Sequence, residues 1–172
     1  TREKNKDNWE LESQHDHFWL TKVYSYENAW YVRDTMAGIS TRIRLGAGLG
    51  YQWLDAEEFD SGKWSFNQEA GLGWTHNVYK ERTPGVDDDY CSVHYAHHLT
   101  FDPYFSETIQ VFHNLAYDPA IHDWEQYTIE ADVGATAKVY GDFDLLAKIE
   151  WDYNSMPARG RKSSDIRYIL GL

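Results

Sequence analysis

The sequence predicts an all-β fold, an antiparallel up-and-down transmembrane β-barrel, from three observations: strict polar and apolar alternation, unusually long alternating segments, and aromatic residues repeated near segment ends. Alternation indicates strands, because successive side chains of a strand point to opposite faces. Several alternating segments run 11–17 residues, whereas strands of globular proteins commonly have about 5–6. Strands that cross a membrane have about 9–11 alternating residues, so the length favours a membrane barrel.

The segment 42–54, RIRLGAGLGYQWL, shows the alternation most clearly, because apolar residues there alternate with arginine, glycine or glutamine. A helix would scatter the arginines and glycines around its axis, and each glycine would cost about 1 kcal/mol. Similar alternation is found at 17–27, 63–79, 89–101, 107–117, 125–139, 143–153 and 164–172. At least eight strands are therefore predicted.

Composition limits the class of protein and its partners. A chain of 172 residues suits one domain, here a polar segment or remnant of an earlier strand at 1–16 followed by a barrel domain at 17–172. The balance of 16 basic and 28 acidic residues, net charge -12, argues against nucleic-acid binding. The apolar runs are too short for a membrane helix, which needs roughly 18 residues. The single cysteine, Cys91, forms no internal disulfide framework.

Turns and aromatic residues give two further indications of a barrel. The second, fourth and sixth predicted connections are on average shorter than the others, and the sixth is the tight Tyr140-Gly141-Asp142 turn. Short turns of this kind are expected on one side of an outer membrane. Trp64 and Trp74 are ten residues apart on one face, a separation of roughly 25 Å along a tilted strand. Phe143 and Tyr153 repeat this interval, which is about the height of the apolar band between two aromatic girdles.

Each predicted strand has an apolar register and a polar register of alternate residues. In a barrel, the apolar register faces lipid and the polar register faces the lumen. The glycines of the polar register, at 46, 48, 50, 71, 73 and 134, are predicted to leave room for neighbouring arginines and to let curved strands close. Mixed charges inside a narrow barrel neutralise one another in hydrogen-bonded pairs, so we expect a closed pore. The predicted lumen-facing charges are Arg42, Arg44, Glu69, Glu130, Asp132, Lys138, Lys148, Glu150, Asp152 and Arg167. The predicted lipid-facing and girdle residues are Ile43, Leu45, Leu49, Trp53, Trp64, Trp74, Ile129, Val133, Phe143, Ile149, Trp151 and Tyr153.

No residue pattern points to catalysis, a metal site or a cofactor. His94 and His98 share a strand face, but His97 points the other way and no cysteine or repeated carboxylate completes a zinc pattern. The acidic run at 87–89 is more typical of a solvated loop tip than of a Ca²⁺ site. No nucleophile motif is present, so the chain is predicted not to be an enzyme.

Three motifs carry a resemblance to a known family. The chain contains GISTRIRLGAGLGYQWLD, then KWSFNQEAGLGW, and finally WDYNSMPARGRKSSDIRYILGL. In this order, over roughly residues 15 to 172, they resemble the salt-induced outer-membrane protein family, a domain-of-unknown-function family of Gram-negative bacteria. The resemblance implies an exported outer-membrane barrel without an established activity, and longer chains with further N-terminal strands. The strands seen here would then belong to a cylinder of eight strands or of ten to twelve.

The functional expectation is an integral protein of the cell outer membrane with a structural or scaffold role, in contact with outer-membrane lipid and with other envelope proteins. A soluble lipocalin-like carrier, with the apolar register turned inward around a small ligand, is the alternative. A small selective pore is a third hypothesis, and it requires an open lumen. Six glycines on an outer face would be hard to explain in the carrier.

Overall fold

The computed structural model describes residues 8–34, 38–55, 64–81, 88–102, 108–140 and 143–171. The described chain forms nine strands and no helix. Their bounds are β1 Asn8–Phe18, β2 Val23–Asp34, β3 Ile39–Leu54, β4 Trp64–Tyr79, β5 Asp89–Phe101, β6 Ile109–Pro119, β7 Tyr127–Tyr140, β8 Phe143–Asn154 and β9 Ser164–Gly171. The described part of the chain therefore lacks any helix with the length and hydropathy needed to cross a bilayer.

The strands form one antiparallel sheet in chain order, β1 to β9. Each strand pairs with its sequence neighbours, and the pairing of β3 with β4 extends from Ile39 opposite Tyr79 to Leu54 opposite Phe66. Side chains from distant strands meet on one face, as when Arg44 of β3 bonds Glu130 of β7. The sheet is thus curled into a half-barrel, and among the described residues β1 pairs only with β2 and β9 only with β8.

The curl gives the sheet a concave and a convex face. The concave face is the one that carries Arg44 and Glu130, and the convex face carries the alternate residues such as Leu45 and Val133. The connections after β2, β4, β6 and β8 lie at one end of the sheet, here called the β8–β9 end. Those after β1, β3, β5 and β7 lie at the opposite end, the β1–β2 end.

The all-β antiparallel prediction is confirmed, but one predicted strand is wrong. The segment 17–27 is not one strand: it contains the end of β1, a turn at 19–22 and the start of β2. The turn is closed by backbone bonds from the amides of Trp19 and Leu20 to the carbonyl of Val23, at 3.0 and 3.2 Å. Its Trp-Leu-Thr-Lys sequence lacks the glycine, proline or asparagine that usually marks a turn.

The stretch at 28–34 also belongs to β2, although it lies outside the predicted strand 17–27. Its concave positions carry Trp30 and Val32, whereas most concave positions of β3, β4 and β7 carry polar residues or glycine. Both faces of β2 are therefore partly apolar, and the alternation that reveals the other strands is lost. The loop segments 56–63, 82–87 and 103–107 and the Gly141-Asp142 turn lie outside the described residues.

Candidate functional site

The concave face is built around two tyrosines of β2. Tyr24 and Tyr26 are 1% and 2% exposed, and their rings lie across glycines of β3 and β4. A Cβ at Gly50 would overlap the ring of Tyr24, and a Cβ at Gly71 would overlap Oη of Tyr26. The prediction that these glycines make room for arginines is therefore wrong. The other glycines of this register lie against Tyr26 (Gly48), Asn28 (Gly46), Ser92 (Gly73) and Phe112 (Gly134).

Glu69 of β4 is the centre of a hydrogen-bonded cluster and is 3% exposed. Its Oε1 accepts a hydrogen bond from Oη of Tyr24 at 2.8 Å and another from Nε2 of Gln14 at 3.1 Å. Nδ2 of Asn67 in turn donates to Oη of Tyr24 at 3.0 Å. A buried carboxylate is costly without such donors. The cluster therefore satisfies Glu69 and joins β1, β2 and β4 across the concave face.

Arg44 of β3 makes the longest connection across the interior. Its Nη1 donates to Oε1 of Glu130 at 2.6 Å, and its Nη2 donates to Oγ1 of Thr128 at 3.1 Å. The guanidinium carbon lies 4.5 Å from the ring centroid of Trp30 in β2, in the geometry of a cation–π contact. Because β3 and β7 are separated by three strands in the sheet, this contact connects two opposite walls of the half-barrel.

A second ionic cluster lies on β8 and β9. Nζ of Lys148 is 2.5 Å from Oε1 of Glu150, and Nε of Arg167 is 3.1 Å from the other oxygen of Glu150. Arg167 also bonds the carboxylate of Asp152. The two cations thus alternate with the two carboxylates, which keeps the like charges of Glu150 and Asp152 compensated.

The concave histidines take part in pairs, not in a ligand set. Nδ1 of His94 is 2.7 Å from Oδ1 of Asp118, and Nδ1 of His98 is 3.1 Å from Oδ1 of Asn114. His97 is on the convex face. Within the described ranges, no group of three or more His, Cys, Asp or Glu side chains is arranged to hold a metal ion.

The β8–β9 end is packed with the chain's own connections. Ala158, in the connection between β8 and β9, is buried and lies against Gly38 before β3. Ala120, after β6, is also buried, and the next amide, of Ile121, donates to the carbonyl of Cys91 at 2.8 Å. The first contact joins the β8–β9 connection to the start of β3, whereas the second extends the pairing of β5 with the chain after β6.

Within the described residues, the concave face borders cavities of about 140 Å³ and 190 Å³. Both are bordered by Arg44 and Glu130, together with Glu10 and Trp30. Apart from these shared residues, the first has mainly polar walls that include Glu69 and the His94–Asp118 pair, while the second extends to Asp165 and Arg167. Both of these cavities therefore border the Arg44–Glu130 ion pair, and both are smaller than the roughly 300–1,000 Å³ that is typical of small-molecule sites.

The convex face exposes large apolar side chains instead. Among the residues predicted to face lipid, Ile43, Ile129 and Tyr153 are half-buried. The others are exposed by 37–64%, namely Leu45, Leu49, Trp53, Trp64, Trp74, Val133, Phe143, Ile149 and Trp151. Monomeric soluble proteins rarely expose contiguous apolar surface on this scale.

Aromatic side chains of the convex face gather near both ends of the sheet. Near the β8–β9 end, the ring centroids of Tyr127 lie 5.7 Å from those of Tyr117 and Tyr153. Near the β1–β2 end, Trp53 lies 4.7 Å from Tyr51, and another pair, Trp64 with Phe101, is 4.2 Å apart. The convex face thus has aromatic contacts at two levels with aliphatic residues between them.

Comparison with known families decides the classification. The model of a family described as protein of unknown function, DUF481, matches residues 1–172. The chain belongs to the DUF481 family. No curated protein and no solved structure matches it. The DUF481 assignment supports the family resemblance seen in the sequence, whereas the more specific salt-induced label has no such support.

The charges predicted for the lumen of this DUF481 chain lie in the concave register of their strands. Arg44 with Glu130 forms the central pair, and Glu69 lies in the tyrosine cluster. Arg42 is buried, and its Nε donates to Oδ1 of Asn77 at 2.5 Å. The remaining charges lie on β7 to β9: Asp132 accepts a bond from Asn114, Lys138 is exposed at the end of its strand, and Lys148, Glu150, Asp152 and Arg167 form the second ionic cluster.

The sequence analysis missed the residues that fill the interior of this DUF481 chain. Tyr24 and Tyr26 were placed in a strand but given no role, and the His94–Asp118 pair was not recognised. One signal was available for the tyrosines. They are two residues apart, as are Gly48 and Gly50 in the following strand, and β2 and β3 pair Tyr24 with Gly50 and Tyr26 with Gly48.

Proposed function

We propose that this DUF481 chain forms the wall of an outer-membrane β-barrel with a closed, charged interior and a structural role in the envelope. One observation carries the proposal: the concave face pairs the charges while the convex face exposes tryptophan, leucine and valine. A soluble protein buries such an apolar face against a second layer. Among the described residues there is one sheet and no second layer. Lipid is the partner that this convex face fits.

The aromatic contacts at two levels support the same orientation. Tryptophan and tyrosine favour the membrane–water interface, where an apolar ring and a polar group are both satisfied. Trp64 and Trp74, ten residues apart on β4, lie towards opposite ends of the sheet. We propose that the β1–β2 end and the β8–β9 end lie at the two surfaces of the membrane.

The packed interior supports a structural role over transport. Tyr24 and Tyr26 fill the concave face beside β3 and β4, and the Arg44–Glu130 pair crosses it. Ala120 and Ala158, in two connections at the β8–β9 end, are also buried. A chain that serves as a pore needs a continuous lumen, and a lipocalin-like carrier needs an apolar one. The partners we propose are outer-membrane lipid and other envelope proteins, which the loops would contact.

The test is extraction and mobility of the native protein. We expect recovery from membranes only with detergent, and a folded form that migrates differently from the boiled form on a gel. In planar bilayers the same preparation should give no stable conductance. A steady conductance would favour the small selective pore. A protein that is monomeric and folded in plain buffer would refute the membrane proposal and favour the carrier.

The salt-induced label of the resembling family is a finer proposal. Expression of the chain's own gene at high and low salt, measured by protein abundance in the envelope, tests it directly. Equal abundance under both conditions would remove the label and leave the barrel proposal unaffected.

A further inference from the structure

The two edges of the sheet run in the same direction. Neighbouring strands are antiparallel throughout, so all odd-numbered strands are parallel to one another, including β1 and β9. Both edges are regular: β1 pairs with β2 in an unbroken register from Asn8 to Phe18, and β9 pairs with β8 from Ser164 to Gly171. Neither contains a proline or a bulge, two of the features that keep an exposed edge from pairing with another strand.

The two edges also border one space. Glu10 of β1 and Asp165 and Arg167 of β9 line the same cavity of about 190 Å³. Within the part of the chain that the structure describes, β1 and β9 are not paired with each other. This leaves an open seam between two parallel edges.

We propose that this seam is a docking site for one extended polypeptide strand that runs antiparallel to β1 and β9 and carries basic residues on its concave side. The proposal rests on the barrel function proposed above, because bacterial outer-membrane barrels close with an even number of antiparallel strands. Nine strands with parallel edges need an odd number of additional strands to close in this way, and one is the smallest number.

A second copy of the chain does not fit the seam. Two copies inserted into a membrane in the same orientation present only β1 and β9 as edges, and all of these run in one direction. Each contact between copies would then be a parallel pair. The antiparallel strand must therefore come from a segment other than β1 to β9, and main-chain bonding to a sheet edge is a known mode of peptide recognition.

Charge defines the chemistry of the docking strand. The concave side of β1 carries Glu10, Glu12 and Asp16, and that of β9 carries Asp165 near the seam. Arg167 on β9 is already engaged by carboxylates of β8. Lysine or arginine at every second position of the docking strand would compensate the acidic edge, and apolar residues between them would continue the convex face.

Cross-linking with synthetic peptides tests the direction and the charge. The probe is a seven-residue peptide of alternating lysine and leucine with a cysteine at one terminus, which matches the span from His17 to Leu11 on β1. Its control has glutamate in place of lysine. In non-ionic detergent and a Cys91→Ala background, we expect the N-terminal cysteine to cross-link to the His17→Cys variant. The C-terminal cysteine should cross-link to Leu11→Cys. The Val133→Cys variant, on the convex face but away from the edges, is the matched control site.

The expected yield of the lysine peptide is at least tenfold above that of the glutamate peptide and of the Val133 control site. The proposal would be overturned if the N-terminal cysteine cross-linked to position 11 and the C-terminal cysteine to position 17. Equal yields for both peptides, or a cross-linked dimer of the chain itself, would also overturn it. A disulfide between cysteines at His15 and Leu170 would show that the edges meet directly, and would overturn it as well. Detergent extraction of the same variants is measured separately. If the chain needs detergent for extraction but does not cross-link to the lysine peptide, only this inference is contradicted. If the chain is soluble without detergent, the proposed function is contradicted.

Discussion

Nη1 of Arg44 lies 2.6 Å from Oε1 of Glu130, and the two residues are 86 positions apart in the sequence. The pair joins β3 to β7 directly, with β4, β5 and β6 forming the arc between them. A flat sheet would hold these strands about 19 Å apart, at about 4.8 Å per strand. The contact is therefore possible only because the sheet is curled, and it stabilises the curled form.

We expect Arg44→Met to destabilise the fold by about 1–3 kcal/mol, because Glu130 then loses its charged partner on the concave face. The effect is reduced by solvent screening, since the Glu130 side chain is 41% exposed. Urea unfolding in lipid vesicles measures it. Combining Arg44→Met with Glu130→Gln should recover part of the loss; strict additivity of the two substitutions would show that the pair is not coupled.

Gly50→Ala should destabilise the fold by about 1–3 kcal/mol, because the added Cβ overlaps the ring of Tyr24. Gly171→Ala is the control, since its Cβ would lie 3.8 Å from the nearest neighbouring atom, in ordinary contact. Its effect should stay within about 0.5 kcal/mol. Equal effects of both substitutions, measured by the same unfolding assay, would argue against the packing of Tyr24 on Gly50.

The orientation towards lipid is tested by two valines of β7. Val133 lies in the middle of the strand and Val139 near its end, and both are exposed. In a bilayer, Val133→Arg should cost about 2–4 kcal/mol and Val139→Arg about 0–1 kcal/mol, because the penalty falls towards the interface. Folding into vesicles of defined thickness measures the difference. If both variants fold as well as the native chain, the convex face does not contact the hydrocarbon.

Arg167→Gln should destabilise the fold by about 1–2 kcal/mol, because Asp152 would lose its ion pair with Arg167 and Glu150 would keep only its ion pair with Lys148. Restoring the charge with Arg167→Lys should recover part of this loss, although a lysine cannot reproduce the forked contact with two carboxylates. Asp165→Asn, on the same strand, is the control for a change of charge without loss of these bonds. Full stability of Arg167→Gln would mean that the cluster is screened by solvent.

The register of most strands could be predicted from the sequence because each has one polar and one apolar face. Alternation from Ile43 to Trp53 was sufficient to separate the two sets of residues that lie on opposite faces of β3 in the structure. β2 could not be predicted in this way. Its concave side carries tyrosine, tryptophan and valine, which resemble the convex residues of other strands, so no alternation marks it.

The contacts of the interior were less predictable than the faces. Sequence alone placed Arg44 and Glu130 in the same register, but their pairing depends on how far the sheet curls, which no local pattern encodes. The turn at 19–22 was missed for a related reason. Its residues are common in strands, and it is held by backbone bonds and by a hydrogen bond from Nε1 of Trp19 to Oγ of Ser25 at 3.0 Å.

The packing of Tyr24 on Gly50 has a consequence for natural variation within DUF481. The three atoms nearest to a Cβ at position 50 all belong to Tyr24, so the two positions share one volume. Among related chains, a side chain at position 50 should occur only where position 24 is small, and an aromatic residue at 24 only with glycine at 50. In a related chain with both an aromatic residue at position 24 and a side chain at position 50, the aromatic ring would have to pack elsewhere.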